Sequence, residues 1–202
     1  MELHSIKQSL SVLQDLVYFD EEQYYREQIK NPEAVRKLIA ALEVKRQEGS
    51  EETYFLLSML GYCYRVINEP RQAIAVLHEA ITAFMDDKKR MVTLIRLGEA
   101  YKYDGQHQMA LHSFVQAEEI LRKNNFLAYE DFLYQHQAKC YFELQNLEKA
   151  EILFQKALEI RKKKQDESLI QSTRQVLEEV IKRKQGDINK LNSNNKTKEK
   201  QL

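Results

Sequence analysis

The sequence predicts an all-α chain of stacked helical hairpins, and three observations carry that prediction. First, one pattern occurs three times. Leu94, Leu97, Gly98 and Tyr101 are followed, after a turn at Asp104-Gly105-Gln106, by Ala110, Phe114 and Ala117. The same order appears upstream as Leu57, Leu60, Gly61, Tyr64, then Ala73, Leu77, Ala80, and downstream as Tyr134, Ala138, Tyr141, then Ala150, Phe154, Ala157. Spacings of three and four put these residues on one face of a helix, and the small ones let paired helices approach closely. Second, no run of β-branched residues alternates with polar ones as a strand would require. Third, the chain holds only five glycines and two prolines in 202 residues, too few for a sheet full of tight turns.

Taken in order, Val12, Leu13, Leu16, Val17, Tyr18 and Phe19 predict a helix over 11–28, its face continued by Tyr25 and Ile29. Asn31-Pro32-Glu33 is a helix start, with Asn as N-cap and Pro where its missing N–H costs nothing. Ala34, Leu38 and Ala41 then follow at the spacing of Ala73, Leu77 and Ala80. Aligning Tyr25 with Tyr64 makes residues 1–50 a helix and a degenerate hairpin, in which Glu21 and Glu22 stand where Leu60 and Gly61 would be. Buried carboxylates there would be costly, so that helix tilts away or ends the stack. Three repeats are expected over 51–164, at about 51–85, 91–122 and 129–164. Asn68-Glu69-Pro70 turns the first. Offsets of 37 residues from Gly61 to Gly98 and 40 from Gly98 to Ala138 measure the repeat. Residues 165–185, with Ile170, Val176, Leu177, Val180 and Ile181 on one side, form a capping helix with a polar outer face. Residues 186–202 lose the apolar pattern and are expected to be a disordered polar and basic tail.

Composition narrows the function classes. The formal net charge is +0, so nothing global favours nucleic acid or an anionic membrane. The start of the chain lacks the features of a signal peptide, and no stretch approaches the roughly 20 apolar residues of a membrane-spanning helix. A cytoplasmic location is expected. The 182–202 segment has seven basic and two acidic residues, a bias more typical of a solvated tail than of a nucleic-acid arm. None of the five histidines forms the i, i+4 pair around a glutamate of a helical zinc site, and no phosphate loop or nucleophile motif occurs. No enzyme, cofactor or metal is expected. Cys63 and Cys140, at equivalent positions of two hairpins, are too far apart to bond if helices stack about 8–10 Å apart.

The Leu-Gly, Tyr, Ala, Leu/Phe, Ala pattern resembles the tetratricopeptide (TPR) repeat, whose unit is roughly 34 residues. The second copy matches best. The third departs at Gln137-Ala138, and no copy has the closing proline, with Met85, Arg122 and Lys162 near that point. The resemblance covers about residues 15–164 and implies a right-handed superhelix of antiparallel hairpins. Within that family the long units resemble the Rap-like peptide-sensing regulators and the kinesin light chains.

The resemblance implies an interaction scaffold whose stacked first helices line a concave groove. Beside the core stripe, a neighbouring stripe at helical spacing carries the candidate partner-binding residues: Tyr62, Arg65, Glu99, Lys102, Tyr103, Gln135, Lys139 and Phe142. Mixed aromatics and charges of both signs suit a peptide or protein segment. The Lys/Asn clamp of the TPR domains that hold chaperone tails is absent, since Ser58, Tyr62, Ile95 and Glu99 occupy its positions. Three functions remain: an adaptor, a Rap-like regulator that changes shape on binding a peptide, and a self-associating module that forms homo-oligomers. Reversing charge at Arg65, Lys102 and Lys139 together is expected to weaken partner binding and leave helicity intact.

Overall fold

The computed structural model describes the backbone of residues 3–49, 52–83 and 86–199. Nine α-helices and one two-stranded ribbon follow in order among these residues: α1 (Leu3–Gln14), β1 (Val17–Asp20), β2 (Arg26–Ile29), α2 (Pro32–Gln47), α3 (Thr53–Val66), α4 (Pro70–Ala83), α5 (Asp87–Tyr103), α6 (His107–Asn124), α7 (Glu130–Glu143), α8 (Leu147–Lys164) and α9 (Glu167–Glu199). The chain divides into two compact units, 1–127 and 128–202.

In the first unit α3 packs on α4 and α5 on α6, as the repeated pattern predicts. Leu57, Leu60, Ala73, Leu77 and Ala80 are buried in the first hairpin, and Leu94, Leu97, Ala110, Phe114 and Ala117 in the second. The glycines mark the closest approach. A Cβ on Gly61 would lie 2.7 Å from Leu77 Cγ, and one on Gly98 would lie 2.7 Å from Phe114 Cδ1 and closer still to Cε1. Leu77 can swing its terminal methyls aside, whereas the Phe114 ring, itself fully buried, must move as a plate. Gly98→Ala is therefore expected to cost about 1–2 kcal/mol, overpacking outweighing the roughly 1 kcal/mol gained from better helix propensity. Gly61→Ala should cost measurably less. Thermal unfolding followed by circular dichroism ranks the two, and equal losses would contradict this account.

One turn is used three times. Asn68, Gly105 and Gln145 adopt φ of 61°, 75° and 59°. The residue after each donates back five positions: Glu69 N to Tyr64 O (2.8 Å), Gln106 N to Tyr101 O (2.8 Å) and Asn146 N to Tyr141 O (2.9 Å). This is the Schellman closure, which satisfies the orphan carbonyls at a helix end. Asn31 caps α2 as predicted, its Oδ1 accepting from Ala34 N at 3.2 Å, with Pro32 as the first helical residue.

Three expectations need correction. The segment predicted as a helix over 11–28 is instead the end of α1 followed by an antiparallel ribbon, in which Val17 pairs with Ile29 and Asp20 with Arg26. Glu21 and Glu22, exposed at the ribbon tip, could not have been buried in a helical stripe. Asp20 instead closes the tip, its Oδ1 accepting from Glu22 N at 3.0 Å. Tyr25, aligned above with Tyr64, sits at φ 58° rather than in a helix. The chain is thus all-α but for one ribbon. Finally, α9 does not stop near Gln185. Its backbone runs through Gly186 to Glu199, so the expected disordered tail is helical over most of its length. Without a proline to break it, a helix started by packing propagates at small cost per residue. Residues 200–202, like Ser50, Glu51 and Met85 named in the sequence reading, lie outside the described residues.

In the second unit α7 packs on α8, and α8 on α9. Ala138, Ala150, Phe154 and Ala157 are buried, and so are Ile170, Val176, Leu177 and Val180 of the capping helix. Cys63 and Cys140 are buried and form no disulfide with each other, and burial pushes the Cys63 thiol up to about 12.

Candidate functional site

Of the predicted site residues, five fall in the first unit, and four of them converge on the ribbon. They come from the C-terminal turns of α3 and α5, where Arg65 and the Glu99–Tyr103 segment face β2. Arg65 Nη2 donates to Glu27 Oε2 at 2.6 Å, and Glu99 Oε1 lies 3.6 Å from Nη1. Burial pulls the Arg65 pKa down, but Glu99 and Glu27 outweigh it and hold the pKa well above the ordinary value. The guanidinium lies over two rings, 5.0 Å from the Tyr103 centroid and 5.4 Å from that of Tyr62.

Arg26 occupies a second seat. Its Nη2 donates to Lys102 O at 2.9 Å and its Nη1 to Tyr103 O at 3.4 Å, at the carbonyl end of α5 where the helix dipole favours a cation. Its guanidinium covers the Tyr103 ring at 4.9 Å, and Lys102 Nζ lies 5.1 Å from the same ring. Tyr103 completes the arrangement through its hydroxyl. It accepts from Glu27 N at 2.6 Å and donates to Glu27 O, 3.2 Å away. One phenol thereby satisfies both main-chain groups of a residue in β2, as a neighbouring strand would. Burial pushes the Tyr103 hydroxyl up, beyond the ordinary tyrosine range, and raises that of Tyr62 to about 12.

Arg65, Glu99, Lys102 and Tyr103 come together beside β2, but the exposure expected of the predicted residues is absent. Arg65, Glu99, Lys102 and Tyr103 are 5%, 7%, 1% and 7% exposed, and Tyr62 is half-buried. Gln135, Lys139 and Phe142 belong to the second unit and are buried there. Arg183 of α9 lies over the Phe142 ring at 4.9 Å, and Gln135 Oε1 has no hydrogen-bond partner among the described residues. Charge reversal at Arg65, Lys102 and Lys139 therefore cannot leave the helices intact, and that part of the expectation is withdrawn. Sequence reading missed Arg26 and Glu27 altogether. Their partners are 38 and 76 residues away, and the one available signal was the polar run Asp20–Gln23 interrupting a supposed helix.

Among the described residues no group of three or more His, Cys, Asp or Glu could hold a metal, and no helix is long and apolar enough to cross a membrane. What the geometry can do is hold an extended main chain, an arginine and a carboxylate.

A protein of helical-hairpin repeats with its polar seat on the first helices is the class so defined. Residues 133–164 match the tetratricopeptide repeat, and the fold of the chain is that of tetratricopeptide-repeat proteins. No curated protein matches the sequence. Among solved structures, the apo form of RapI is similar with 19% identity and a TM-score of 0.64, over 78% of this chain and 59% of that one. The chain thus spans less than two thirds of RapI. A putative kinesin light chain with TPR-like repeats from Podospora anserina has 15% identity and a TM-score of 0.60, covering 90% of this chain and 88% of that one. PcrH in complex with the chaperone-binding region of PopD has 23% identity and a TM-score of 0.53, covering 67% and 96%.

Proposed function

We propose that this protein is a non-enzymatic interaction scaffold, cytoplasmic in location, that receives an extended protein segment on the α3–α5 face. One observation supports the reading above others: that face already holds an extended segment, β2, through side chains and main chain together. PcrH, a structural neighbour, is complexed with a segment of another protein, which agrees with the use of this fold for such a purpose. A second reading, a Rap-like responder that changes conformation on binding a peptide, is favoured by the ribbon, since any segment taking its place would move it.

Site-directed photocrosslinking tests the site. A photoreactive residue at Tyr62, half-buried on α3 beside Arg65, should capture a partner from native lysate, whereas one at Met109 or Val115, exposed on α6, should not. Adducts from α6 alone would move the interface to the second helices and overturn the proposal. Adducts only to the protein itself would replace it with self-association.

A further inference from the structure

Two seats on the α3–α5 face are defined by what occupies them. The first takes a guanidinium between two main-chain carbonyls at the end of α5 and the face of Tyr103. The second takes a carboxylate on Arg65. Between them the Tyr103 hydroxyl reads the main chain of the carboxylate-bearing residue in both directions. Adjacent residues of an extended strand point to opposite faces, so one arginine followed directly by one acidic residue fills both seats. The pair is neutral as a unit. Exchanging it for another Arg-acidic pair leaves the buried charges of Arg65 and Glu99 balanced as before, whereas inserting a lone charge would not.

The ribbon is suited to leave. It has only two strands, and a two-stranded hairpin is at best marginally stable by itself. Tyr18 and Phe19 of β1 are 44% and 42% exposed, so the ribbon is held mainly by β2 and its flank, where Tyr25 and Ile29 are buried. Its tip needs two consecutive non-glycine residues, Tyr24 and Tyr25, at φ of 55° and 58°, a conformation with a steric cost for side chains of this size.

We propose that the β1–β2 ribbon is a resident occupant of the peptide seat, and that the partner is an extended segment bearing an arginine followed by Asp or Glu, which displaces it. This deepens the scaffold reading and rests on it. In the resting protein the seat is available only in the fraction of molecules whose ribbon is out, and the apparent affinity for a partner is reduced by that fraction.

The probe is a fluorescein-labelled peptide of residues 24–30, Tyr-Tyr-Arg-Glu-Gln-Ile-Lys, titrated against the full chain and against its Arg26→Ala/Glu27→Ala variant by anisotropy. The variant is expected to bind the peptide at least about tenfold more tightly than the wild type. A peptide with alanine at both central positions should bind neither. Equal binding to both proteins, or none to a variant that keeps its helicity, would overturn the proposal.

If the variant fails to fold, hydrogen exchange on the wild type decides. The Glu27 amide should exchange about a hundredfold faster than amides inside α5, the mark of a local opening. Exchange in step with α5 would make the ribbon a permanent part of the core and sink the idea. A concentration-dependent dimer abolished by Arg26→Ala/Glu27→Ala would give the seat to the ribbon of a second copy, also against it. Failure of the peptide with Tyr62 crosslinks retained would overturn displacement alone. Failure of the peptide together with loss of those crosslinks would remove the scaffold reading too.

Discussion

Asp131→Ala should destabilise the second unit by about 3–5 kcal/mol, the range for leaving a buried cation without its partner. The carboxylate is fully buried and joins three helices. From α7 it accepts a hydrogen bond from Arg161 Nε of α8 at 3.0 Å and pairs with Lys164. Arg161, 2% exposed, uses its remaining donors on α9, reaching Leu169 O at 3.3 Å and the Thr173 hydroxyl. Burial pulls the Arg161 pKa down while Asp131 holds it up. Removing the carboxylate therefore leaves a guanidinium that water cannot reach. Asp131→Asn, which keeps one acceptor, should lose less. Replacing Asp131 by Leu together with Arg161 by Met should cost less than the two single changes summed. Urea unfolding followed by circular dichroism measures all five variants, and a loss below about 1 kcal/mol for Asp131→Ala would contradict the account.

Arg65→Glu should have an effect at least as large in the first unit. It sets a third carboxylate against Glu27 and Glu99 in a place from which water is excluded, and removes the cation from two aromatic faces. We expect a loss of about 3–5 kcal/mol or outright unfolding, read as a fall in helicity and melting temperature. Adding Glu27→Arg to Arg65→Glu restores the pair in reverse order and should recover a clear part of the loss. If Arg65→Glu left the melting temperature unchanged, the buried ion pair would not exist in solution. The same variant would be a poor probe of partner binding, because lost affinity and lost fold could not be separated.

Why the hairpins were legible and the seat was not follows from the range of the interactions involved. Leu60-Gly61 or Phe114 announce themselves because a helix repeats its own face every three or four residues. Two helices of a hairpin are neighbours in sequence as well as in space. Proline at the start of α2 and α4 acts on its own backbone, so it too was readable. The ribbon defeated the same logic: Val17, Tyr18 and Phe19 fit a helical stripe when counted alone, and only the uncompensated Glu21 and Glu22 argued otherwise. The seat then depended on knowing where β2 lies. Placing Arg65, Glu99 and Tyr103 on one face was within reach of helical periodicity. Knowing that Arg26 and Glu27 would bury them was not, since no local rule connects residues 38 or 76 apart. The opposite error at α9 arose from equating a lost apolar stripe with a lost helix. A stretch of Lys, Asn and other polar residues can still extend a helix that packing has begun.

The turn shared by Asn68, Gly105 and Gln145 has one more consequence. Main-chain groups close these joints, so the left-handed position accepts Asn and Gln, at a modest steric cost, as well as Gly. A joint that tolerates different residues is a natural splice point. The 37 residues from Asn68 to Gly105 begin and end at the same backbone geometry, so a duplicate of that stretch inserted at either end would meet a matching joint on both sides. The chain can grow or shorten by whole hairpins without a new kind of corner, and evolution is left to vary only the faces that the hairpins present.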